Sequence, residues 1–123
     1  MEGKQDKKLL GRWGEELAAR YIKNKRFKVI AMNYYCRIGE IDIIAQNKKY
    51  VVFIEVKLRK NSTHGYAREF VTQQKQEKLR TAAQLWLSQN PTGLQPRFDV
   101  VEIYAPQGMD TEKPIINHIE NAF

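Results

Sequence analysis

The chain has 123 residues, 42% hydrophobic and 28% charged, which predicts one globular domain over residues 1–123 and excludes a disordered chain. No apolar run approaches the roughly 20 residues that span a bilayer, and the single cysteine excludes an internal disulfide, so we expect a cytoplasmic protein without membrane contact. The net charge of +7 is concentrated in residues 1–37, which carry +6, and residues 57–80, which carry +5, and both a nucleic acid partner and a solvated basic surface are compatible with it.

The first predicted element is an amphipathic helix over residues 8–25. Its apolar and small residues recur at helical spacing on one broad arc, whereas charged residues fill the opposite arc. Glu15 falls at the edge of the apolar arc, away from the other charges. That position is unusual for a carboxylate.

Three strands, a second helix and two further strands are predicted to follow, from runs of β-forming residues and from helical spacing. In chain order they cover residues 27–35, 40–45, 50–58, 72–89, 98–104 and 115–119, with a polar loop over 59–70. The short polar link between the second and third strands predicts a hairpin. This α-β-β-β-α-β order predicts an α/β fold, with a mixed sheet of four to five strands and a helix on each face.

The third strand carries two charged residues, Glu55 and Lys57, in a run that is otherwise apolar. Because strand side chains alternate between faces, both point to the same side of the sheet. Asp42 of the second strand falls on that side too if the link between the strands has an even length. Burying these charges without partners would cost several kcal/mol, so we expect a compensating group.

Two carboxylates and a lysine in this arrangement suit a divalent metal ion and phosphodiester hydrolysis. Mg²⁺ prefers oxygen ligands, and an ion at Asp42 and Glu55 would polarise a phosphoryl oxygen and acidify a water. Lys57 could orient or deprotonate the attacking water and stabilise the developing negative charge. Judged from the spacing alone, a half-buried salt bridge of Lys57 with either carboxylate is at least as well supported.

Three basic residues bracket the loop after this strand, namely Arg59, Lys60 and Arg68. Side chains of this kind are suited to contacts with backbone phosphates, which fix the position of a nucleic acid without reading its sequence. A plain solvated face is the equal alternative for all three.

An upstream acid followed by GEIDII and FIEVK resembles the PD-(D/E)XK nuclease superfamily, which has the restriction-endonuclease-like fold. Over nearly its whole length the chain is similar to the YraN-like family of small bacterial proteins within that superfamily. The matching stretches are GRWGEELAARYI at 11–22, NYYCRIGEIDIIA at 33–45, VFIEVKLR at 52–59, RFDVV at 97–101 and the terminal INHIENAF. The core of this family is similar to Holliday-junction resolvases, which implies a nuclease for branched or otherwise structured DNA.

The resemblance also implies roles for individual residues. Asp42 and Glu55 would hold the metal, Mg²⁺ or Mn²⁺, with the carbonyl of Val56 as a third ligand. Lys57 would be the catalytic lysine. Glu15 matches the first-helix acid that related nucleases direct at the metal site.

Two further positions follow from the same resemblance. Lys75, one turn before Leu79 on the core-facing line of the second helix, could contact DNA near the site. Where the family usually has an arginine before the cysteine, this chain has Tyr35, so a phosphate contact there is absent or replaced by stacking. By analogy with resolvases a homodimer is expected, because a junction has two scissile strands.

The leading hypothesis is therefore a Mg²⁺-dependent endonuclease that acts on DNA. The alternative is a non-catalytic nucleic-acid-binding or DNA-repair accessory protein that retains the nuclease fold. The complete set of acids and lysine favours the enzyme, because a protein that only binds needs no more than the basic segments. RNA as the substrate stays open.

Overall fold

A computed structural model describes residues 6–60 and 71–123 of the chain. Its helices and strands are α1 (Lys7–Asn24), β1 (Lys28–Tyr35), β2 (Glu40–Gln46), β3 (Tyr50–Arg59), α2 (Gln73–Gln89), β4 (Gln95–Tyr104) and β5 (Ile115–Ile119). No helix within these residues is long and apolar enough to cross a membrane. Residues 61–70 of the predicted polar loop, including Arg68, lie outside the described residues.

The five strands form one mixed sheet in the order β1-β2-β3-β4-β5. Strands β3 and β4 run parallel, whereas the other neighbouring pairs run antiparallel. The α2 helix connects the two parallel strands, as a crossover between parallel strands requires. The predicted α/β class and mixed sheet are confirmed.

The two helices pack on opposite faces of the sheet. Even-numbered residues of β3 contact α1 and odd-numbered residues contact α2, because strand side chains alternate. The α1 cluster includes Ala18, Ala19, Ile22, Val52 and Ile54, and the α2 cluster includes Val51, Phe53, Leu79, Ala82, Ala83 and Trp86. The odd-numbered side of β3 continues into Glu55 and Lys57, so both charges lie on the face that α2 covers.

The end of α1 is fixed by a Schellman motif. The backbone N–H of Phe27 donates to the carbonyl of Ile22 at 3.2 Å, and that of Arg26 donates to Lys23 at 3.0 Å. Arg26 consequently adopts the left-handed region, with φ of 70°. Glycine is the preferred residue at such a position, and a side chain there costs about 1 kcal/mol.

Strand β4 begins at Gln95, three residues before the predicted start at residue 98. Pro96 and Arg97 interrupt the apolar pattern and suggest a loop when the sequence is taken alone. In the structure Gln95 is aligned with Tyr50 of β3, and its N–H donates to the carbonyl of Lys49 at 3.0 Å. The extension is therefore imposed by the neighbouring strand.

A buried polar cluster on β4 ties the C-terminal segment to the sheet. Asp99 has no exposed surface and accepts hydrogen bonds from Arg97 Nε and Nη2 at 2.9 and 2.8 Å. It also binds His118 Nε2 at 2.7 Å and the backbone N–H of Asn121 at 3.0 Å. Burial alone would raise the pKa of Asp99, but the bonds to His118 and Arg97 hold it below its usual range.

We expect Asp99→Asn to lower the free energy of unfolding by about 3 kcal/mol at neutral pH, because it removes the buried counter-charge of Arg97 and leaves that side chain only the exposed Glu120, 3.9 Å away. The stabilising contribution of Asp99 is complete above the ordinary aspartate pKa of about 4 and is lost as pH falls through the lowered native pKa. Urea unfolding at pH 7 and at low pH measures both effects. Glu112→Gln, at an exposed position, is the control, and equal midpoints for both variants at pH 7 would contradict the prediction.

Candidate functional site

Asp42 and Glu55 face each other at the point where β2 and β3 separate. The pairing of these strands ends at Ile43 and Ile54, so Asp42 lies one residue beyond the last pair. There its Oδ2 accepts a hydrogen bond from the backbone N–H of Val56 at 2.8 Å. At the turn, residues 47–50 lie between Gln46 and Val51, the last residues that pair there. Because this link has an even number of residues, Asp42 lies on the side of the sheet that carries Glu55.

The two carboxylates open into a pocket of about 240 Å³ between the sheet and the start of α2. Its lining is formed by Ile38, Gly39, Glu40, Asp42, Glu55, Lys75, Lys78 and Leu79. We call this the acidic pocket, after its three carboxylates. Two lysines on neighbouring turns of α2 line its other side.

Glu55 is the most enclosed of these acids, with 5% of its surface exposed. One of its oxygens, Oε2, lies 2.8 Å from Lys75 Nζ and 3.5 Å from Lys57 Nζ. Burial alone would lower the pKa of Lys75, but its hydrogen bond to Glu55 raises it above the usual range. The salt bridge of Lys57 with a carboxylate, which was the alternative interpretation of this residue, is therefore present. Lys57 and Lys75 both lie close to the same oxygen of Glu55.

The surroundings of Asp42 disfavour its charged form. Burial, with added repulsion from Glu55, raises its pKa to about 7, against the opposing hydrogen bond from Val56. Glu15 and Glu40 contribute further repulsion. A bound cation would relieve this repulsion, because it favours the charged form of the carboxylate.

Glu15 lies outside the lining of the acidic pocket, although its charge acts on Asp42. Burial raises the pKa of Glu15, and a hydrogen bond with the side chain of Asn33 opposes that shift. Asn33 lies within β1 with φ of 54°, a left-handed conformation that asparagine tolerates better than other side chains. Sequence analysis did not single out Asn33; the available signal was an asparagine inside a β-forming run.

Tyr35 of β1 is aligned with Glu40 of β2 and has 73% of its surface exposed. Its hydroxyl hydrogen-bonds Glu40, and this bond raises the pKa of Tyr35. Glu40 lines the pocket, so the exposed ring is attached to its rim. The stacking contact expected at Tyr35 stays a prediction.

The residues that were predicted to contact phosphates do not all lie at the acidic pocket. Arg59 turns away from the acidic pocket, with its Nε 3.4 Å from the buried Glu102 carboxylate. Arg59 and Lys60 line a separate cavity together with Lys7 of α1. Lys78 lines the acidic pocket beside Lys75, although the sequence analysis did not single it out. The i,i+3 spacing of the two lysines, which puts both on one face of the helix, could have indicated it.

The donor set fits a magnesium-type ion. Within residues 6–60 and 71–123, no group of three or more His, Cys, Asp and Glu side chains gathers closely enough to hold a metal ion. Mg²⁺ is commonly held by one or two carboxylates and keeps several waters. Asp42 and Glu55 supply two carboxylates, and the carbonyl of Val56 faces the same side as its N–H, toward the gap that β2 leaves.

The fold and the site together define an α/β protein with paired carboxylates and lysines where two central strands separate. Residues 14–103 match the model of the Uncharacterised protein family UPF0102, and the chain belongs to this family. It is 43% identical to UPF0102 protein TTE1452 of Caldanaerobacter subterraneus subsp. tengcongensis, with 98% of each chain covered. It is 42% identical to the UPF0102 protein of Geotalea daltonii, covering 99% of this chain and 94% of the relative. UPF0102 protein VSAL_I2655 of Aliivibrio salmonicida is 41% identical, with 99% and 97% covered.

Asp42→Asn tests, without any metal ion, whether ionisation of Asp42 destabilises the folded protein. The native pKa of about 7 exceeds the ordinary value of about 4, so the folded protein binds more protons than the unfolded chain between these values. The stability that protonated Asp42 contributes is therefore lost as pH rises through 7. Asparagine keeps an oxygen for the Val56 N–H and removes the charge.

We therefore expect Asp42→Asn to melt at a higher temperature than the native protein at pH 8 in EDTA, and at the same temperature near pH 4. Thermal unfolding followed by circular dichroism at the two pH values is the measurement. Glu112→Gln is the control for loss of an exposed acid. A variant that melts below the native protein at pH 8 would show that Asp42 is stabilised as a carboxylate.

Proposed function

We propose that this protein is a metal-dependent endonuclease of the PD-(D/E)XK type that hydrolyses phosphodiester bonds in DNA, including branched or otherwise structured DNA. The observation that carries the proposal is the convergence of Asp42 and Glu55 in one pocket, with Lys57 on the same face two residues after Glu55. The GEIDII and FIEVK segments, which resemble that superfamily, contain these three residues.

The same proposal assigns the restriction-endonuclease-like core to this chain. It is supported by the run of α1, β1 to β3, α2 and β4, with the site on the second and third of these strands. It is also supported by the packing of the two helices on opposite faces. By analogy with resolvases, the active form is a homodimer, because two strands of a junction must be cut.

In the proposed mechanism, Asp42, Glu55 and the Val56 carbonyl would hold a Mg²⁺ or Mn²⁺ ion, which would supply positive charge and an acidified water. Lys57 pairs with Glu55 at 3.5 Å, orients the attacking water through Nζ and stabilises the negative charge that develops on the phosphate. Lys75 is half exposed, so it can exchange Glu55 for a phosphate oxygen of the substrate. Glu15, positioned by Asn33, adds negative charge that favours a cation at Asp42.

A non-catalytic nucleic-acid-binding or DNA-repair accessory function is favoured by one observation. Lys57 and Lys75 already neutralise Glu55 without a metal ion. In that function the acidic pocket is an ion-pair network that stabilises the fold, and the basic segments alone contact nucleic acid. The two functions differ in what a divalent metal ion does.

A thermal-shift titration with Mg²⁺ and Mn²⁺ tests the metal site. The ion should stabilise the native protein by RT ln(1 + [L]/Kd), about 1.4 kcal/mol at ten times Kd. Asp42→Asn and Glu55→Gln should each remove most of this gain, because each deletes an oxygen anion from the donor set. Glu112→Gln should keep it. A native melting temperature that neither ion raises would contradict the metal site.

Cleavage assays on the same samples separate the roles of the two lysines. Lys57→Ala should keep the metal-dependent shift and lose cleavage, because the ligands remain while the group at the attacking water is gone. Lys75→Ala should weaken substrate binding by about tenfold and keep cleavage at saturation, as for a phosphate contact. Branched DNA, duplex DNA, single-stranded DNA and RNA are compared in parallel. If no substrate is cut in the presence of either ion, the enzyme is excluded and the binding function stands.

A further inference from the structure

A second charged cleft lies at the far end of the β2–β3 hairpin from the acidic pocket. It has a volume of about 620 Å³ and is lined by Lys25, Arg26, Lys28, Gln46, Asn47, Lys48 and Lys49. These residues come from the segment that follows α1, the start of β1, the end of β2 and the hairpin turn. We call this surface the basic cleft; among the described residues its lining contains cations and amides, without a carboxylate or an apolar side chain.

The five cations of the basic cleft are exposed and lack acidic partners. Within residues 6–60 and 71–123, no carboxylate forms a salt bridge with any of them. Two of the ammonium groups instead lie over aromatic rings, Lys25 over Tyr21 at 5.5 Å and Lys49 over Tyr50 at 5.6 Å. Like charges gathered without counter-charges produce a local positive potential that attracts polyanions.

The backbone holds these cations in place. Asn47 Oδ1 accepts hydrogen bonds from the N–H groups of Lys49 and Tyr50 at 2.9 and 2.7 Å, which fixes the hairpin turn. Arg26 occupies the left-handed position that ends α1, where glycine would relieve the backbone. A cationic side chain at a strained position is a pointer to function.

The helix dipole accounts for only part of the cluster. A cation near the C-terminus of a helix is favourable, which explains Lys25 and Arg26 at the end of α1. Lys28 belongs to β1, and Lys48 and Lys49 belong to the hairpin turn. Three separate elements therefore contribute charge to one cleft.

We propose that the basic cleft binds the phosphodiester backbone of duplex DNA, as a contact surface separate from the acidic pocket. Several cations in one cleft match the regularly spaced phosphates of a duplex. Single strands are bound through aromatic stacking platforms, and the lining has none. A lipid surface is disfavoured because no apolar side chain is available to insert.

The length of β2 separates this surface from the acidic pocket. Asp42 and Gln46 are four residues apart on that strand, a distance of about 14 Å. One phosphate cannot contact both places, since about four nucleotides of one strand span that distance. The basic cleft therefore contacts DNA whether or not the acidic pocket cleaves it.

Fluorescence anisotropy with a labelled duplex of about two helical turns, in EDTA and over a range of salt concentrations, tests the proposal. The full chain is compared with Lys48→Gln/Lys49→Gln and with Lys113→Gln, a control that removes charge from an exposed position outside the basic cleft and the basic segments. The cleft variant should reduce the log–log salt slope by about 1.8, which is about 0.9 per phosphate contact, and the control should leave it unchanged.

Arg26→Gly separates loss of contact from loss of folding. Glycine suits the left-handed backbone, so the melting temperature should stay equal or rise, while the salt slope should fall by about 0.9. Binding is measured in EDTA, where the acidic pocket can hold no divalent ion and no metal-dependent cleavage occurs, so failure of cleavage and failure of this surface are distinguishable.

Three results would overturn the proposal. The first is a cleft variant whose salt slope equals that of the control. The second is displacement of the duplex by polyglutamate as effectively as by unlabelled duplex, which would assign the basic cleft to an acidic polypeptide. The third is tighter binding of a single strand than of the duplex to this surface. It would be seen if the cleft variant lost more affinity for the single strand than for the duplex.

Discussion

The hydrogen bond from the Val56 N–H to Asp42 Oδ2 occupies the place where β2 stops pairing with β3. A backbone donor left without a partner in the interior would cost about as much as a lost hydrogen bond, so the side chain substitutes for the missing strand. The same bond holds Asp42 opposite Glu55, and the repulsion between them follows from it. The position of Asp42 in the acidic pocket, and with it the raised pKa of this residue, depends on this one replacement of a backbone acceptor by a carboxylate.

The rest of the fold compensates for the repulsion between Asp42 and Glu55. Apolar clusters on both faces of β3 anchor the strand on which Glu55 stands, and Lys57 and Lys75 neutralise that carboxylate from two elements. Asp42 forms no salt bridge within residues 6–60 and 71–123, and the hydrogen bond from Val56 is what favours its charged form. A site stabilised in this uneven way favours binding of a further positive charge at Asp42.

Local patterns were sufficient for most of the architecture. Strand alternation and an even link placed Asp42, Glu55 and Lys57 on one face, because both rules act over a few residues. The ion pair of Lys75 and the hydrogen bond of Asn33 depend on how α2 and α1 approach the sheet, and no local pattern encodes those distances. Strand β4 began early for a similar reason, since its first residues are ordered by β3. Arg59 was predicted to contact phosphate, whereas in the structure it pairs with Glu102, a carboxylate that the parallel register aligns with Lys57, two residues before Arg59.

At its turn the β2–β3 hairpin carries the cations Lys48 and Lys49 without a carboxylate, whereas at its opposite end three carboxylates, Glu40, Asp42 and Glu55, outnumber the cations Lys57 and Arg59, so the formal charge changes sign along the hairpin. Such a molecule has a lengthwise electric dipole. Near a polyanion it experiences a torque that turns the lysine-bearing tip forward before any contact forms. The first encounter with such a partner is therefore oriented, and the carboxylate end arrives second, by rotation about a tip that is already engaged.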